Sequence, residues 1–422
     1  MSTDTSPARM ESDARLLRSV IERGIQDDPS EARTATDPDR VSNARRFLEG
    51  TMGVPFTEGN RIEVLKNGDE IFPSMLEAIG AARRTIDFLT FVYWSGEIGT
   101  RFAHLLAEQA AAGLRVRVLL DGWGSRPIDR RLIDEMKDAG ADVRWFRPLQ
   151  KLELSKMNHR THRKLVIVDE EIGFTGGVGI ADEWQGDARD ANEWRDTHFR
   201  VTGPAISGLQ AAFLDNWIET DVDFLRPGVD RFPAQPNRGN VTMQVVRGAS
   251  ESSWSDVSTL FLTLLQLARE RLWITTAYFD PDGALLRQLC EAAKRGVDVR
   301  CLVPGPHGDK RFVRLAGEDA YKELLAGGVR IWEFQPSMLH AKIMTVDHVI
   351  ACVGSANFNA RSAELDEEVG LVVLDNDLVT TLDDHFEIDL GRSEEIDQAR
   401  WKNRPLHRRL MEKVTKPFRH QV

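Results

Sequence analysis

One pattern, used twice, constrains this chain more than any other feature. His162-Arg-Lys164-Leu-Val-Ile-Val-Asp169 and His340-Ala-Lys342-Ile-Met-Thr-Val-Asp347 both read His-x-Lys-x4-Asp. His162 and His340 lie 178 positions apart, and so do Gly176 and Gly354 in the Gly-rich turns that follow. A constant offset is what a duplicated structural unit leaves behind.

The flanking elements repeat in the same order. Apolar Ile86 to Tyr93 reads as a buried strand, Phe102, Leu105, Leu106 and Ala110 share a helix face ending at Gly113, and Val116 to Asp121 alternates into a second strand. The second half runs Leu272 to Tyr278 as strand, Leu285, Leu286, Leu289 and Ala293 as helix face, Gly296 as stop, and Val297 to Val303 as strand. Strands alternating with helices predict an α/β fold with helix-covered sheets. Pro and Gly punctuation from Arg226 to Gly239 marks a linker between the halves. The expected division is a polar N-terminal extension over 1–60, a first half over 61–225, a linker over 226–240, a second half over 241–390 and a basic tail over 391–422. The extension is expected to dock loosely, with one short amphipathic stretch around Leu16 to Ile21.

On a strand, residues two apart project to one face, so each motif His and Lys can converge on one phosphate. Gly176-Gly177 and Gly354-Ser355 lie seven and eight residues beyond the motif aspartates, where glycine lets backbone amides approach an anion. Asn357 adds an amide donor in the second half, where the first half has Gly179. Gly177, Ser355 and Asn357 are therefore the candidate phosphate contacts. His159 and His162 also form a His-x-x-His pair, but Arg160, Arg163 and Lys164 among them would repel a cation, and a phosphate fits better.

A net charge of -11 weighs against a protein that coats nucleic acid, because phosphate-tracking surfaces need clustered Lys and Arg. No apolar run approaches the roughly 18 residues of a membrane span, and the N-terminus shows no secretory h-region, so a cytoplasmic location is expected. Cys290, Cys301 and Cys352 sit in apolar surroundings and read as reduced core residues. Among the ten tryptophans, Trp94, Trp123, Trp184 and Trp194 can line a lipid-contacting mouth, although core packing accounts for most. Asp121-Gly-Trp-Gly-Ser125 reads as a tight turn or part of that mouth. Leu406, Leu410, Met411 and Val414 share a helical face among basic residues, a pattern that suits an anionic lipid surface or the protein's own acidic body.

The chain resembles the phospholipase D superfamily, and within it bacterial cardiolipin synthases without transmembrane helices. The resemblance runs from about Ile62 to Leu410. It is carried by the two motifs and by Asp121-Gly-Trp-Gly-Ser125, Gly176-Gly-Val-Gly-Ile-Ala-Asp-Glu-Trp184, Trp194-Arg-Asp-Thr-His198, Tyr278-Phe-Asp-Pro-Asp282 and Gly354-Ser-Ala-Asn-Phe-Asn-Ala-Arg-Ser362. The sequence departs from the family pattern at Gly179 and at Asp366, where Asn is common.

The resemblance implies two pseudo-symmetric phospholipase D-like halves, each a mixed β-sheet flanked by helices, with the active site between them. It implies His162 as nucleophile, His340 as general acid/base, Lys164 and Lys342 as phosphate holders, and Asp196 and Glu368 as carboxylates orienting His340 and His162 crosswise. Asp169 and Asp347 complete the motifs and are placed with the catalytic group, with a structural part as acceptors at strand ends. The implied activity is cardiolipin synthesis from phosphatidylglycerol and a second phospholipid through a phosphohistidine, without metal or cofactor, peripherally at the inner face of the cell membrane and on an anionic surface. Rival readings are a phospholipase D hydrolase, a phosphodiesterase acting on nucleic acid, and an idle lipid-binding scaffold. Oligomeric state is not legible.

Overall fold

The computed structural model describes residues 38–148, 158–220, 232–248, 256–309, 320–398 and 401. The expected helix on Leu406 to Val414, the stretch at Leu16 to Ile21 and most of the first part of the linker lie outside the described residues.

The first half contributes β1 (Thr57–Lys66), β2 (Thr85–Thr90), β3 (Arg115–Asp121), β4 (Asp142–Phe146), β5 (Leu165–Val168), β6 (Ile172–Gly176) and β7 (Thr197–Thr202). The second contributes β8 (Val241–Gly248), β9 (Arg271–Thr275), β10 (Asp298–Pro304), β11 (Arg330–Phe334), β12 (Ile343–Val346), β13 (Ile350–Gly354) and β14 (Glu368–Leu374), with β15 (Ser393–Glu395) at an edge. Read outward from the centre, the first half runs β1-β7-β6-β5-β2-β3-β4 and the second β8-β14-β13-β12-β9-β10-β11, the same order twice. Each half is mixed: β2, β3 and β4 are parallel, as are β9, β10 and β11, and the strands nearer the centre are antiparallel.

The two half-sheets are continuous. β1 pairs antiparallel with β8 through Thr57↔Met243 and Asn60↔Val241, joining all the strands into one sheet. Apolar residues fall on both faces of the central strands, as a sheet covered twice requires. One core lies under the first-half helices α2 (Asn67–Gly80), α3 (Glu97–Ala111) and α4 (Arg130–Asp138). A second lies under α6 (Asp256–Leu267) and α7 (Gly283–Lys294). A third draws on both halves, packing Leu209 and Phe213 of α5 (Ile206–Thr220) and Leu378 and Leu382 of α9 (Asn376–Leu390) against Val201, Val245, Val353 and Leu371. The halves therefore share buried surface as well as strand pairing. The three cysteines are buried and unpaired by disulfides.

Residues 38–60 correct the expectation of a loosely docked extension. They form α1 (Pro38–Met52) and the start of β1, and Ala44, Leu48 and Phe56 are buried in the second-half core with Val257 and Leu260. Arg40 bonds to Asp347 and, at 2.9 Å, to Glu270. The polar composition of this segment hid three well-spaced apolar anchors. At the other end, β15 pairs with β11 and Trp401 packs on Tyr321, so the described part of the tail belongs to the second half.

Candidate active site

Both motif segments are extended, but His162, Lys164, His340 and Lys342 precede β5 and β12 rather than lying in them. Their backbones pair across the molecule instead. The His162 amide donates to Glu367 O at 2.9 Å and the Glu367 amide to Arg160 O at 2.8 Å. In the mirror position, the His340 amide donates to Arg195 O at 2.7 Å and the Arg195 amide to Met338 O at 2.8 Å. Each motif histidine is thus aligned by the opposite half, one residue away from that half's carboxylate.

Nδ1 of His162 donates to Glu368 at 2.9 Å, and Nδ1 of His340 donates to Asp196 at 2.9 Å. All four side chains are buried. With Nδ1 engaged, Nε2 is the nitrogen that can react or move a proton. Both carboxylates are held in turn. Glu368 accepts from Ser362 Oγ at 2.6 Å and Ser355 Oγ at 2.5 Å. Asp196 accepts from Trp184 Nε1 at 2.9 Å and from the Thr197 amide at 2.7 Å. Two buried arginines fix the backbones behind them: Arg163 donates to Glu368 O at 3.0 Å, and Arg195 bonds Asp389 at 2.8 Å and Asp196 O at 2.5 Å.

Aromatic rings wall the histidines. Phe91 meets His162 edge-on at 5.3 Å between centroids, while Trp184, Trp194 and Tyr278 surround His340 at 5.2, 5.5 and 6.1 Å. Of the four tryptophans singled out in the sequence, Trp184 and Trp194 are buried against His340, Trp94 bonds Gly124 O, and Trp123 stands exposed on the turn after β3.

Lys164 reaches His162 O at 2.7 Å, and Lys342 reaches His340 O at 2.5 Å and lies 3.3 Å from His340 Nε2. Burial pushes Lys164 down to about 7, with Lys342 adding to the fall and Glu368 opposing it. Burial likewise brings Lys342 down to about 8 against Asp196 and Glu368. Two ammonium groups at low dielectric are costly unless an anion joins them. His340 is pushed down to about 4 by burial and then by Lys342, against its bond to Asp196, so its resting imidazole is neutral. Burial raises Glu368, while for Asp196 the raising effect of burial is outweighed by His340, Lys342 and Trp184, which leave it below its usual value.

Other expected site residues stand elsewhere. Asp169 and Asp347 are corrected from the catalytic group to the far ends of β5 and β12, about 16 Å along the chain from the lysines at roughly 3.3 Å per residue. Asp169 accepts from the amides of Arg83, Arg84 and Thr85, and Asp347 from those of Arg269, Glu270 and Arg271. Each carboxylate ties a strand end to the loop entering its neighbour.

Gly177 and Ser355 are also corrected as phosphate contacts. The Gly177 amide points to Thr197 O, and a Cβ there would sit 2.3 Å from Asp196 Oδ1 and 2.7 Å from His340 O. Its smallness makes room for the His340 and Asp196 pair. Ser355 spends its hydroxyl on Glu368. Asn357 is buried with Oδ1 unpartnered, and it is the Nδ2 hydrogens, not that acceptor, that can serve a phosphate.

Among the described residues, one group has metal-compatible spacing: His162, Asp366 and Glu368, whose ligand atoms lie within 4.8 Å of one another. Glu368 is already committed to His162, Ser355 and Ser362, and the Lys164 ammonium acts on both carboxylates, so an anion suits the place better than a cation. Arg160 and Arg163 play no part in that, since they are turned to Asp121 and to backbone carbonyls. His159 is turned to Leu365 O, away from His162's carboxylate partners.

Two matched halves that exchange carboxylates at a shared pair of histidines and lysines define, with a family match over both halves, an enzyme of the phospholipase D superfamily. The matching family model is described as cardiolipin synthase, PLD-like domain, and covers residues 75–188 and 261–390. The chain belongs to that cardiolipin synthase family. It is 35% identical over 365 residues to cardiolipin synthase 2 of Bacillus anthracis, covering 86% of this chain and 70% of that protein. It is 33% identical over 364 residues to the cardiolipin synthase of Alkalihalophilus pseudofirmus, covering 86% and 72%. The crystal structure of phosphatidylserine synthase from Haemophilus influenzae Rd KW20 superposes with a TM-score of 0.69 over 90% of this chain and 100% of that one, at 15% identity, a likeness of fold. Among the described residues, no helix is long and apolar enough to cross a membrane.

Proposed function

We propose that this enzyme is a phosphatidyltransferase that makes cardiolipin from phosphatidylglycerol and a second phospholipid through a phosphohistidine on His162. The observation that carries the reading is the pair of crossed couples, His162 with Glu368 and His340 with Asp196, beside two buried lysines. The Nε2 lone pair of His162 forms a bond to phosphorus while the bond to the head-group oxygen breaks, and that oxygen takes a proton from His340. In the second step the acceptor hydroxyl gives its proton back to His340, its oxygen bonds to phosphorus, and the N–P bond breaks. Lys164 and Lys342 neutralise the nonbridging oxygens in each transition state, and Asn357 supplies a further donor.

His340 is neutral at rest, so it takes up its proton from solvent as the anionic substrate binds. An anionic phosphodiester beside the imidazole stabilises the imidazolium, whereas the empty site, holding Lys342 close by, disfavours it. The identities of the curated relatives support the lipid assignment. The site of action under this reading is the inner face of the cell membrane, approached peripherally and favoured by anionic lipid.

The test uses purified protein, phosphatidylglycerol vesicles and no added metal, with cardiolipin, phosphatidic acid and glycerol followed by mass. Cardiolipin with equimolar glycerol, lost in both His162→Ala and His340→Ala, is the expected result. A phosphorylated protein that accumulates in His340→Ala and not in His162→Ala would assign the nucleophile, and the opposite pattern would reverse the two roles. Phosphatidic acid as the dominant product would make the enzyme a hydrolase, and no lipid turnover would overturn the reading.

A further inference from the structure

Asp366 lies two residues before Glu368, between α8 (Ala360–Glu364) and β14, and is 7% exposed. Its Oδ2 accepts from Arg361 Nε at 3.0 Å, whereas its Oδ1 is buried with no hydrogen-bond partner. One of its oxygens is within 4.8 Å of a ring nitrogen of His162 and of a Glu368 oxygen. A buried polar atom without a partner carries a desolvation cost of about 1–3 kcal/mol, which a ligand in the site can relieve.

The charged groups that act on Asp366 are Arg361 from α8, Glu368 from β14 and Asp121 from the end of β3, and Lys164 in turn senses Asp366. Burial raises the carboxyl to about 7; Arg361 opposes the rise, and Glu368 and Asp121 add to it. If ionised, Asp366 would present bare negative charge to an incoming phosphodiester anion. When neutral, it presents an O–H.

We propose that Asp366 meets the substrate in its protonated form and donates its Oδ1 hydrogen to a nonbridging oxygen of the phosphodiester held beside His162, so that binding the anion takes up a proton. This deepens the transferase reading and rests on it only for the presence of a phosphodiester in the site. Asp366 is then a specificity residue for the phosphate charge state: a diester monoanion is accepted, and a dianionic monoester competes poorly.

Diethyl phosphate serves as probe, because it is a monoanion that does not itself titrate near neutrality. Binding is measured by calorimetry at pH 7.5 in two buffers of different ionisation heat, which gives protons taken up per ligand bound. Lys164, Lys342 and His340 contribute to uptake in every variant, so the readout is the difference between proteins. Asp366→Asn keeps a donor and loses the titration; its uptake should fall below wild type by on the order of half a proton. Affinity should hold in Asp366→Asn and drop about tenfold in Asp366→Ala. Equal uptake in wild type and Asp366→Asn, or equal affinity in the two variants, overturns the proposal, as does failure of the wild type to bind the diester. If vesicles give no lipid product while the uptake difference persists, the transferase reading falls and the role of Asp366 stands.

Discussion

Glu368, on the first residue of a second-half strand, accepts the Nδ1 hydrogen of His162 in the first half at 2.9 Å, and the reciprocal bond from His340 to Asp196 has the same length. Neither half can orient its own histidine. An isolated half would therefore hold a motif histidine without its carboxylate, and the activity belongs to the joined sheet.

Removing one carboxylate tests this exchange. Glu368→Gln keeps the shape and removes the acceptor charge on His162, and Asp196→Asn does the same for His340. Each should lower kcat by roughly 100-fold or more with little change in KM, in the range that acid–base groups contribute. The double variant should fall by less than the product of the two, because both histidines serve one reaction coordinate. Steady-state kinetics of the four proteins would decide it, and full multiplicativity would argue that the two couples act independently.

The pH dependence follows from the lysines. Lys164 near 7 and Lys342 near 8 lose their charge as pH rises, so kcat/KM should fall from about pH 7 upward as the nonbridging oxygens lose their counter-charges. Stability should move the other way. Both pKa values are depressed on folding, so between about 7 and the unfolded value the unfolded chain binds more protons, and stability rises with pH across that window. Activity profiles and denaturant midpoints over pH 6.5 to about 9.5 would check the opposed trends. A midpoint that falls over the same interval would contradict the buried-ammonium account.

Gly177→Ala places a methyl group 2.3 Å from Asp196 Oδ1. Backbone His340 O lies 2.7 Å from the same methyl position and leaves little room to retreat, so the carboxylate must swing away from His340. The expected result is a kcat loss of roughly 100-fold, with a stability cost of about 1–3 kcal/mol. Wild-type kinetics in the variant would show that Asp196 tolerates the displacement.

Asp169→Ala and Asp347→Ala should do the reverse. Each strips the acceptor from three backbone amides far from the lysines and should cost about 1–3 kcal/mol or more of stability. Below the lowered melting temperature, kcat should stay within a few-fold of wild type. A loss of kcat in a fully folded protein would return these aspartates to the catalytic group.

The duplication, the α/β class, and the His and Lys pair in each half were determined by the sequence itself. They rest on local spacing: an apolar run of strand length, a helix face closed by Gly113 or Gly296, and a motif repeated at one offset. Such patterns need only neighbours along the chain. Glu368 and Asp196 were identified through resemblance, since 206 and 144 positions separate them from their histidines and no local rule spans such a gap. What only the tertiary structure decided is which polar groups are spent and which remain free. Ser362, Arg163 and Arg195 read along the chain as ordinary polar residues, and Trp184 as a lining of the mouth or core, and they prove to hold the carboxylates in place. Gly177 and Ser355 looked like phosphate contacts, but their partners are within the protein. Ala44, Leu48 and Phe56, in a segment polar on average, are buried in the core of the opposite half. A side chain's identity fixes the bonds it can make, whereas the partner it meets is set by the packing of distant strands into one sheet.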